Sequence, residues 1–111
     1  MMIVTKTETY THIKPTQISA VQFFEVFKEK FKEFNGEHLI IDFSEKINIE
    51  IKEILLFLKL SVQHRKNGTS FVLVCEGISI DDLPDELNVV PTFNEALDIL
   101  EMDAIERELG F

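Results

Sequence analysis

The segment His38-Leu39-Ile40-Ile41-Asp42-Phe43 decides how this chain folds. It is short and almost wholly apolar, and it lies between turn-forming residues, which is typical of a strand that is covered on both faces. A second segment of the same kind, Ser70 to Cys75, predicts another buried strand. Two such strands indicate a sheet with helices packed on it rather than a sheet that faces water.

The residues before the central segment predict an amphipathic helix. From Ile18 to Phe34 apolar residues recur at steps of three and four, while Lys and Glu fill the opposite side. Thr16 is placed to cap its start, and Asn35-Gly36 ends it. We expect the buried face to consist of Ala20, Phe24, Phe27, Phe31 and Phe34.

A second helix is predicted between the two buried strands. Asn48 can cap it, Glu50 and Glu53 suit its first turn, and Asn67-Gly68 closes it. The apolar positions that repeat at helical spacing are Ile51, Ile54, Leu55, Leu58 and Val62.

The two ends of the chain complete the pattern. The stretch from Ile3 to Lys14 is rich in β-branched residues and predicts one or two short strands that form a hairpin, whereas Ser79 to Glu86 is polar and predicts a loop or one short helical turn. Leu87 to Val90 is typical of a short edge strand, and Thr92 with Glu95 fits a capping box that starts a last helix. The core positions expected in that helix are Ala96, Leu97, Leu100 and Ile105.

Strands that alternate with helices predict βαβ units and a largely parallel sheet, with the hairpin as an antiparallel margin. At 111 residues the chain fits one domain, over residues 1–111. We therefore expect a single α/β domain with a mixed four- to five-stranded sheet and about four helices.

Charge and cysteine content narrow the function classes. The net charge is −9, and residues 76–111 hold eleven Asp and Glu against only Arg107, so nucleic acid is not expected as a partner. The single Cys75 and the absence of a basic and apolar leader at the first residues favour a cytoplasmic protein. The longest apolar-rich run, Ile54 to Leu60, is too short to span a membrane.

Four stretches of the chain resemble the STAS domain, the fold of bacterial anti-sigma-factor antagonists and of the cytoplasmic tails of sulfate transporters. They are His38 to Ser44 for the central strand, Ile49 to Leu60 for the following helix, Lys66 to Val74 for the next turn and strand, and Val90 to Leu97 for the last strand and helix. The resemblance implies a STAS-like fold and a regulatory, protein-binding role.

One position departs from the STAS pattern. Regulated antagonists carry a phosphorylated serine in the loop before the second helix, and here that position falls on Lys52, or on Ile51 if the alignment shifts by one residue. Neither side chain has a hydroxyl group, so the usual phosphorylation switch is expected to be missing.

The ending Asp103 to Phe111 is similar to that of small flavobacterial STAS-like proteins, which are encoded beside ribonuclease Z and sometimes carry that enzyme's name. A nuclease of that class binds two metals through clustered histidines and an aspartate. Here His12, His38 and His64 stand alone in the sequence, so no catalytic site, metal or cofactor is predicted.

Other candidate residues are interpreted as structural or as surface. Cys75 ends an apolar strand and is expected to be a buried, inert thiol, while His38 and His64 are expected to be structural, the latter as a cation at a helix end. Ser44 follows the central strand, where open α/β sheets place ligands, but a role in capping or turning the chain is the favoured interpretation. The acidic cluster is interpreted as a solvated loop or docking surface and comprises Asp81, Asp82, Asp85 and Glu86.

The leading hypothesis is a non-catalytic STAS-like module that binds a protein partner through the segment from Ser44 to Lys59. The residues expected to take part in partner binding are Ser44, Glu50, Lys52, Glu53, Asp81, Asp82, Asp85 and Glu86. Two alternatives stay open. One is an enzyme, enzyme subunit or accessory protein linked to RNA processing, and the other is a sensor of a nucleotide or lipid at the carboxyl edge of the sheet. A homodimer also stays open.

Overall fold

A computed structural model describes residues 2–17, 19–43 and 49–110, except for the side chain of Ile80. Within these residues five strands form one sheet, in the order β1-β2-β3-β4-β5. Their bounds are β1 Met2–Lys6, β2 Thr11–Pro15, β3 Leu39–Asp42, β4 Phe71–Val74 and β5 Asn88–Val90.

The strand directions confirm the predicted mixed sheet. β1 and β2 form the antiparallel hairpin at one margin, with Thr5 opposite His12, and β2 to β5 are mutually parallel. β3 lies in the middle of the sheet and β5 at the far edge, as the sequence predicts. Each parallel connection follows the chain to the neighbouring strand, so no strand is skipped.

The first helix, α1, spans Ala20–Lys30 and continues as a 3₁₀ turn over Phe31–Phe34. Its N-cap is Ser19, whose hydroxyl oxygen accepts the backbone N–H of Gln22, so the prediction that Thr16 caps the helix is wrong. Ser19 lies immediately before the first helical residue, where its oxygen can reach an N–H of the first turn, and Thr16 lies outside this range. Gly36 follows with φ +84°, as expected of a glycine that ends a helical segment.

The second helical segment, α2, covers residues 51–66 in three consecutive pieces, Ile51–Ile54, a 3₁₀ turn Leu55–Phe57, and Leu58–Lys66. Glu50 is its N-cap, and Glu53 accepts the backbone N–H of Glu50 at 2.9 Å to complete a capping box. The proposed cap Asn48 lies outside the described residues, and the cap that the structure shows is Glu50.

The last helix, α3, spans Phe93–Glu108, and Thr92 caps it by accepting the N–H of Glu95, as predicted. The described part of the chain thus holds three helices where about four were expected, because the predicted loop before β5 forms only the short 3₁₀ turn Ile80–Asp82. None of these helices has the length and apolar character that crossing a membrane requires.

One face of the sheet carries a core built largely from phenylalanine, under α1 and α2. Phe23, Phe27 and Phe57 are fully buried there, and their rings pack against one another at centroid distances of 5.6 to 6.1 Å. We call this the Phe-rich face. Its other buried members are Ile13, Phe34, Leu39, Ile41, Phe43, Ile54, Phe71, Leu73, Cys75, Leu83, Leu87 and Val89.

The predicted inner faces of the helices are partly wrong. On α1 the structure buries Phe23 completely and leaves Phe24 and Phe31 half-buried, and on α2 it buries Phe57 and exposes Leu55. The wide phenylalanine rings decide the rotation, because Phe57 contacts both Phe23 and Phe27 when it faces inward.

The opposite face is covered by α3 and has a smaller core. Among the described residues, the fully buried apolar side chains there are Ile40, Val72, Val74 and Ala96, and half-buried residues of α3, β5 and the hairpin turn pack against them. We call this the α3 face. Ile105, which the sequence places in the core, is 50% exposed, because it lies on the side of α3 that points away from the sheet.

Candidate functional site

The outward surface of α2 exposes two adjacent leucines. Leu55 is 40% exposed and Leu56 is 37% exposed, although leucine is a residue that folding usually buries. Lys52 and Lys59 lie one turn before and after Leu56 and are exposed as well. We call Lys52, Leu55, Leu56 and Lys59 the α2 surface.

Three of the predicted binding residues lie together at the start of α2. Glu50 and Glu53 hold each other's backbone N–H groups in the capping box, and the ammonium of Lys52 lies 3.5 Å from a carboxylate oxygen of Glu50. Both partners of this ion pair are well exposed, so it contributes little to stability. Its charges border the apolar pair Leu55 and Leu56 and stay accessible to a partner.

The acidic cluster lies on a different element, the connection between β4 and β5. Asp81, Asp82, Asp85 and Glu86 are all exposed, while Leu83 between them is buried and anchors the loop in the Phe-rich core. The guanidinium of Arg65 near the end of α2 donates to the backbone carbonyl of Glu86 at 2.7 Å. This hydrogen bond holds the loop against the end of α2. The other predicted binding residues, Glu50, Lys52 and Glu53, lie at the start of α2, so the structure does not bring the two groups together.

Ser44 lies outside the described residues, but the strand end before it carries polar groups that the sequence analysis did not single out. Asp42 is buried at the carboxyl end of β3, and its carboxylate lies 2.8 Å from Nε2 of His12 on β2. The ring of Phe93 packs on His12 with the centroids 4.6 Å apart. Asp42 is the one charged residue of an otherwise apolar strand, and a buried carboxylate requires a partner, which is the signal that could have revealed the pair.

His38 and His64 each hydrogen-bond to a backbone group of the fold, as their predicted structural roles require, and the pKa of each is lowered from its ordinary value. Nε2 of His64 donates to the carbonyl of Glu37, and burial is the main cause that lowers the pKa of His64. The expected role of His64 as a cation at the helix end is therefore wrong, because a buried imidazole loses the hydration that stabilises its charge. Nδ1 of His38 accepts the backbone N–H of Ser70 at 2.9 Å, so its other nitrogen, Nε2, carries the proton.

A cavity of about 450 Å³ lies beside His38, at the amino end of the parallel strands. Tyr10 and Glu8 of the hairpin turn line one side, and Leu100 and Arg107 of α3 line another. Burial, followed by the positive charge of Arg107, lowers the pKa of His38. The sequence analysis expected ligands at the opposite, carboxyl edge of the sheet, and this cavity was missed because its lining comes from three distant segments.

Cys75 is buried, as predicted, and burial raises the pKa of its thiol to about 11. It therefore stays protonated at neutral pH and is a poor nucleophile. Within residues 2–17, 19–43 and 49–110, no group of three or more His, Cys, Asp or Glu side chains comes together as a metal site would.

No model of a known protein family matches this chain, and no curated protein matches it.

Proposed function

We propose that this chain is a non-catalytic, STAS-like module that binds a protein partner through the α2 surface. The observation that carries the proposal is the exposure of Leu55 and Leu56 between Lys52 and Lys59. The resemblance of the sequence to STAS domains supports it, because the serine that a partner kinase phosphorylates in regulated antagonists lies in the loop before the second helix.

In the isolated chain, Leu55 and Leu56 leave part of their apolar surface in contact with water. Burying a leucine side chain contributes about 1.5 to 3 kcal/mol, and folding of this chain realises only part of that gain at Leu55 and Leu56. A partner that covers both residues would supply the rest. The flanking ammonium groups would favour a partner with carboxylates around an apolar centre.

The 3₁₀ turn Leu55–Phe57 supports the same surface. A 3₁₀ stretch in the middle of a helix often marks a functional hinge or a strained sequence, and here it contains the two exposed leucines while Phe57 faces the core. The turn thus presents the leucines from a helix whose inner side is fixed by aromatic packing.

Photo-crosslinking tests this proposal. A photoreactive phenylalanine analogue is introduced at Leu56, and in a control protein at Glu29, an exposed residue of α1. After irradiation in the native cytosol, we expect a discrete crosslinked protein from the first site, lost when Leu55→Glu is added, and none from the second. Equal products from both sites, or none from Leu56, would contradict the proposal.

Phosphorylation is not expected to regulate this surface at the usual position. Lys52 and Ile51 have no hydroxyl group, and Lys52 is instead paired with Glu50. Residues 49–60 contain no Ser, Thr or Tyr. Phosphopeptide mapping of protein from native cells should therefore find no phosphate ester in this range. A stoichiometric phosphate on Ser44 would indicate a displaced switch.

The cavity beside His38 favours a second candidate function, a small-molecule sensor. Its volume of about 450 Å³ lies within the range of ligand sites, and it combines apolar walls with donors from His38, Tyr10 and Arg107. Thermal-shift screening of nucleotides and lipids should then raise the melting temperature, and Arg107→Gln should abolish the rise. A rise that Arg107→Gln leaves unchanged would place the ligand elsewhere.

A further inference from the structure

The outer side of α3 exposes apolar residues, which is not expected of a helix whose other side packs on a sheet. Asp103 faces inward, where its carboxylate accepts the hydroxyl of Ser70 at 2.8 Å. Three apolar residues point outward instead, with Met102 55%, Ile105 50% and Leu109 66% exposed. Leu109 is the C-cap residue and continues the helical backbone.

These three residues have the spacing of a helix–helix contact. Steps of three and then four place Met102, Ile105 and Leu109 at consecutive a and d positions of a heptad pattern, which form one stripe on the helix. Residues at the flanking e and g positions decide which helix can pair with such a stripe. Three of the four flanking positions are acidic, Glu101, Glu106 and Glu108, and the fourth is Ile99, which packs on the core of the α3 face.

We infer that the outer side of α3 binds an amphipathic basic helix of another protein. Such a helix would lay apolar residues against Met102, Ile105 and Leu109 and place Lys or Arg opposite Glu101, Glu106 and Glu108. The charge balance supports this occupant, because α3 has six acidic residues and only one basic residue, Arg107. Arg107 lines the cavity beside His38, and it is absent from the e and g positions.

A second copy of this chain fits less well. Two α3 helices paired face to face would bring glutamates at the e and g positions together, and like charges across a helix contact are destabilising. The α2 surface and this stripe lie on opposite sides of the sheet, so the inference does not depend on the proposed function. Either surface can fail while the other stands.

A designed peptide tests the inference directly. The probe is a fluorescent helix about three heptads long with Leu at a and d and Lys at e and g, and the matched control peptide has Glu at e and g. Binding to the full chain is measured by fluorescence anisotropy. We expect the Lys peptide to bind and its affinity to fall as salt is raised, because the ion pairs are screened over about 10 Å at 0.1 M. The Glu peptide should not bind.

Two variants assign the peptide to the stripe. Met102→Gln with Ile105→Gln keeps good helix formers and removes the apolar contact, and we expect the affinity to fall about tenfold or more. Ile3→Gln, at a residue that is 54% exposed on β1, is the control and should leave binding unchanged. Melting curves verify that both variants are folded.

Four results would overturn the inference. The Lys peptide could fail to bind, it could bind the stripe variant as well as wild type, or the Glu peptide could bind equally well. The fourth is concentration-dependent self-association in sedimentation that Met102→Gln with Ile105→Gln abolishes, which would make a second copy the occupant.

Discussion

The two faces of the sheet are held by different kinds of contact. Among the residues that the structure describes, the Phe-rich face has fifteen buried apolar residues in one cluster under α1 and α2, whereas the α3 face has four. The α3 face also has side-chain hydrogen bonds, one between His12 and Asp42 and one between Ser70 and Asp103. Its helix, α3, also turns apolar residues outward.

This difference indicates that the two faces contribute to the fold in different ways. Apolar burial is the main favourable term in folding, so most of the stability must come from the Phe-rich face. The α3 face has contacts that fix orientation rather than large buried area. The exposed leucines of α2 lie outside both cores, on the back of a helix that the Phe-rich core holds in place.

The largest loss of stability is expected from substitutions in the Phe-rich face. Phe27→Ala and Phe23→Ala should each lower the free energy of unfolding by about 3 to 5 kcal/mol, because each removes a fully buried ring. Phe24→Ala and Phe31→Ala, at half-buried positions, should cost less. Phe93→Ala on the α3 face is the matched control. Urea unfolding measures all five, and an equal loss for Phe93→Ala would contradict the division between faces.

A smaller effect is expected from the polar pair on the α3 face. His12→Ala removes the hydrogen bond to buried Asp42 and the contact with Phe93, and should cost about 1 to 3 kcal/mol. Thr5→Ala changes the exposed residue directly opposite His12 on β1 and should cost less. If the two variants unfold alike, the pair does not fix the α3 face.

The smallest effect at neutral pH is the titration of His64. Its pKa is lowered in the folded chain by burial, whereas the unfolded chain takes up a proton below pH 6.5. The associated stability is therefore complete above pH 6.5 and is lost as the pH falls from there towards the lowered pKa. His38, whose pKa is lowered as well, acts in the same direction.

His64→Gln keeps a donor for the carbonyl of Glu37 and removes this titration. Its melting temperature should fall less between pH 7 and pH 5.5 than that of wild type. Parallel curves for the two proteins would show that His64 does not titrate as a buried neutral group.

The sequence predicted the parts of the fold that depend on local signals. Runs of β-branched and apolar residues, turn residues and capping patterns predicted these parts. They are the hairpin, the strands β3, β4 and β5, the cap at Thr92 and the turn at Asn67. These features involve residues that are neighbours in the chain, so a single sequence carries their pattern.

The rotation of the helices and the site geometry were not predictable in the same way. Helical spacing allows both Phe23 and Phe24, and both Leu55 and Phe57, to face inward, and the choice depends on rings from α1, α2 and β3 that meet only after folding. The His12–Asp42 pair likewise depends on the register of β2 against β3. Ile105 was misplaced because α3 has apolar residues on both sides, which gives no clear inner face.

The most direct test of the account is the affinity of the crosslinked partner for three forms of the chain. Leu55→Glu with Leu56→Glu should weaken binding by about a hundredfold, because carboxylates would replace the apolar centre of the α2 surface. The control Ile3→Glu should bind as wild type does, and both variants should melt near the wild-type temperature, since these side chains lie outside the core. Undiminished binding by the folded double variant would contradict the central claim that the α2 surface binds the partner.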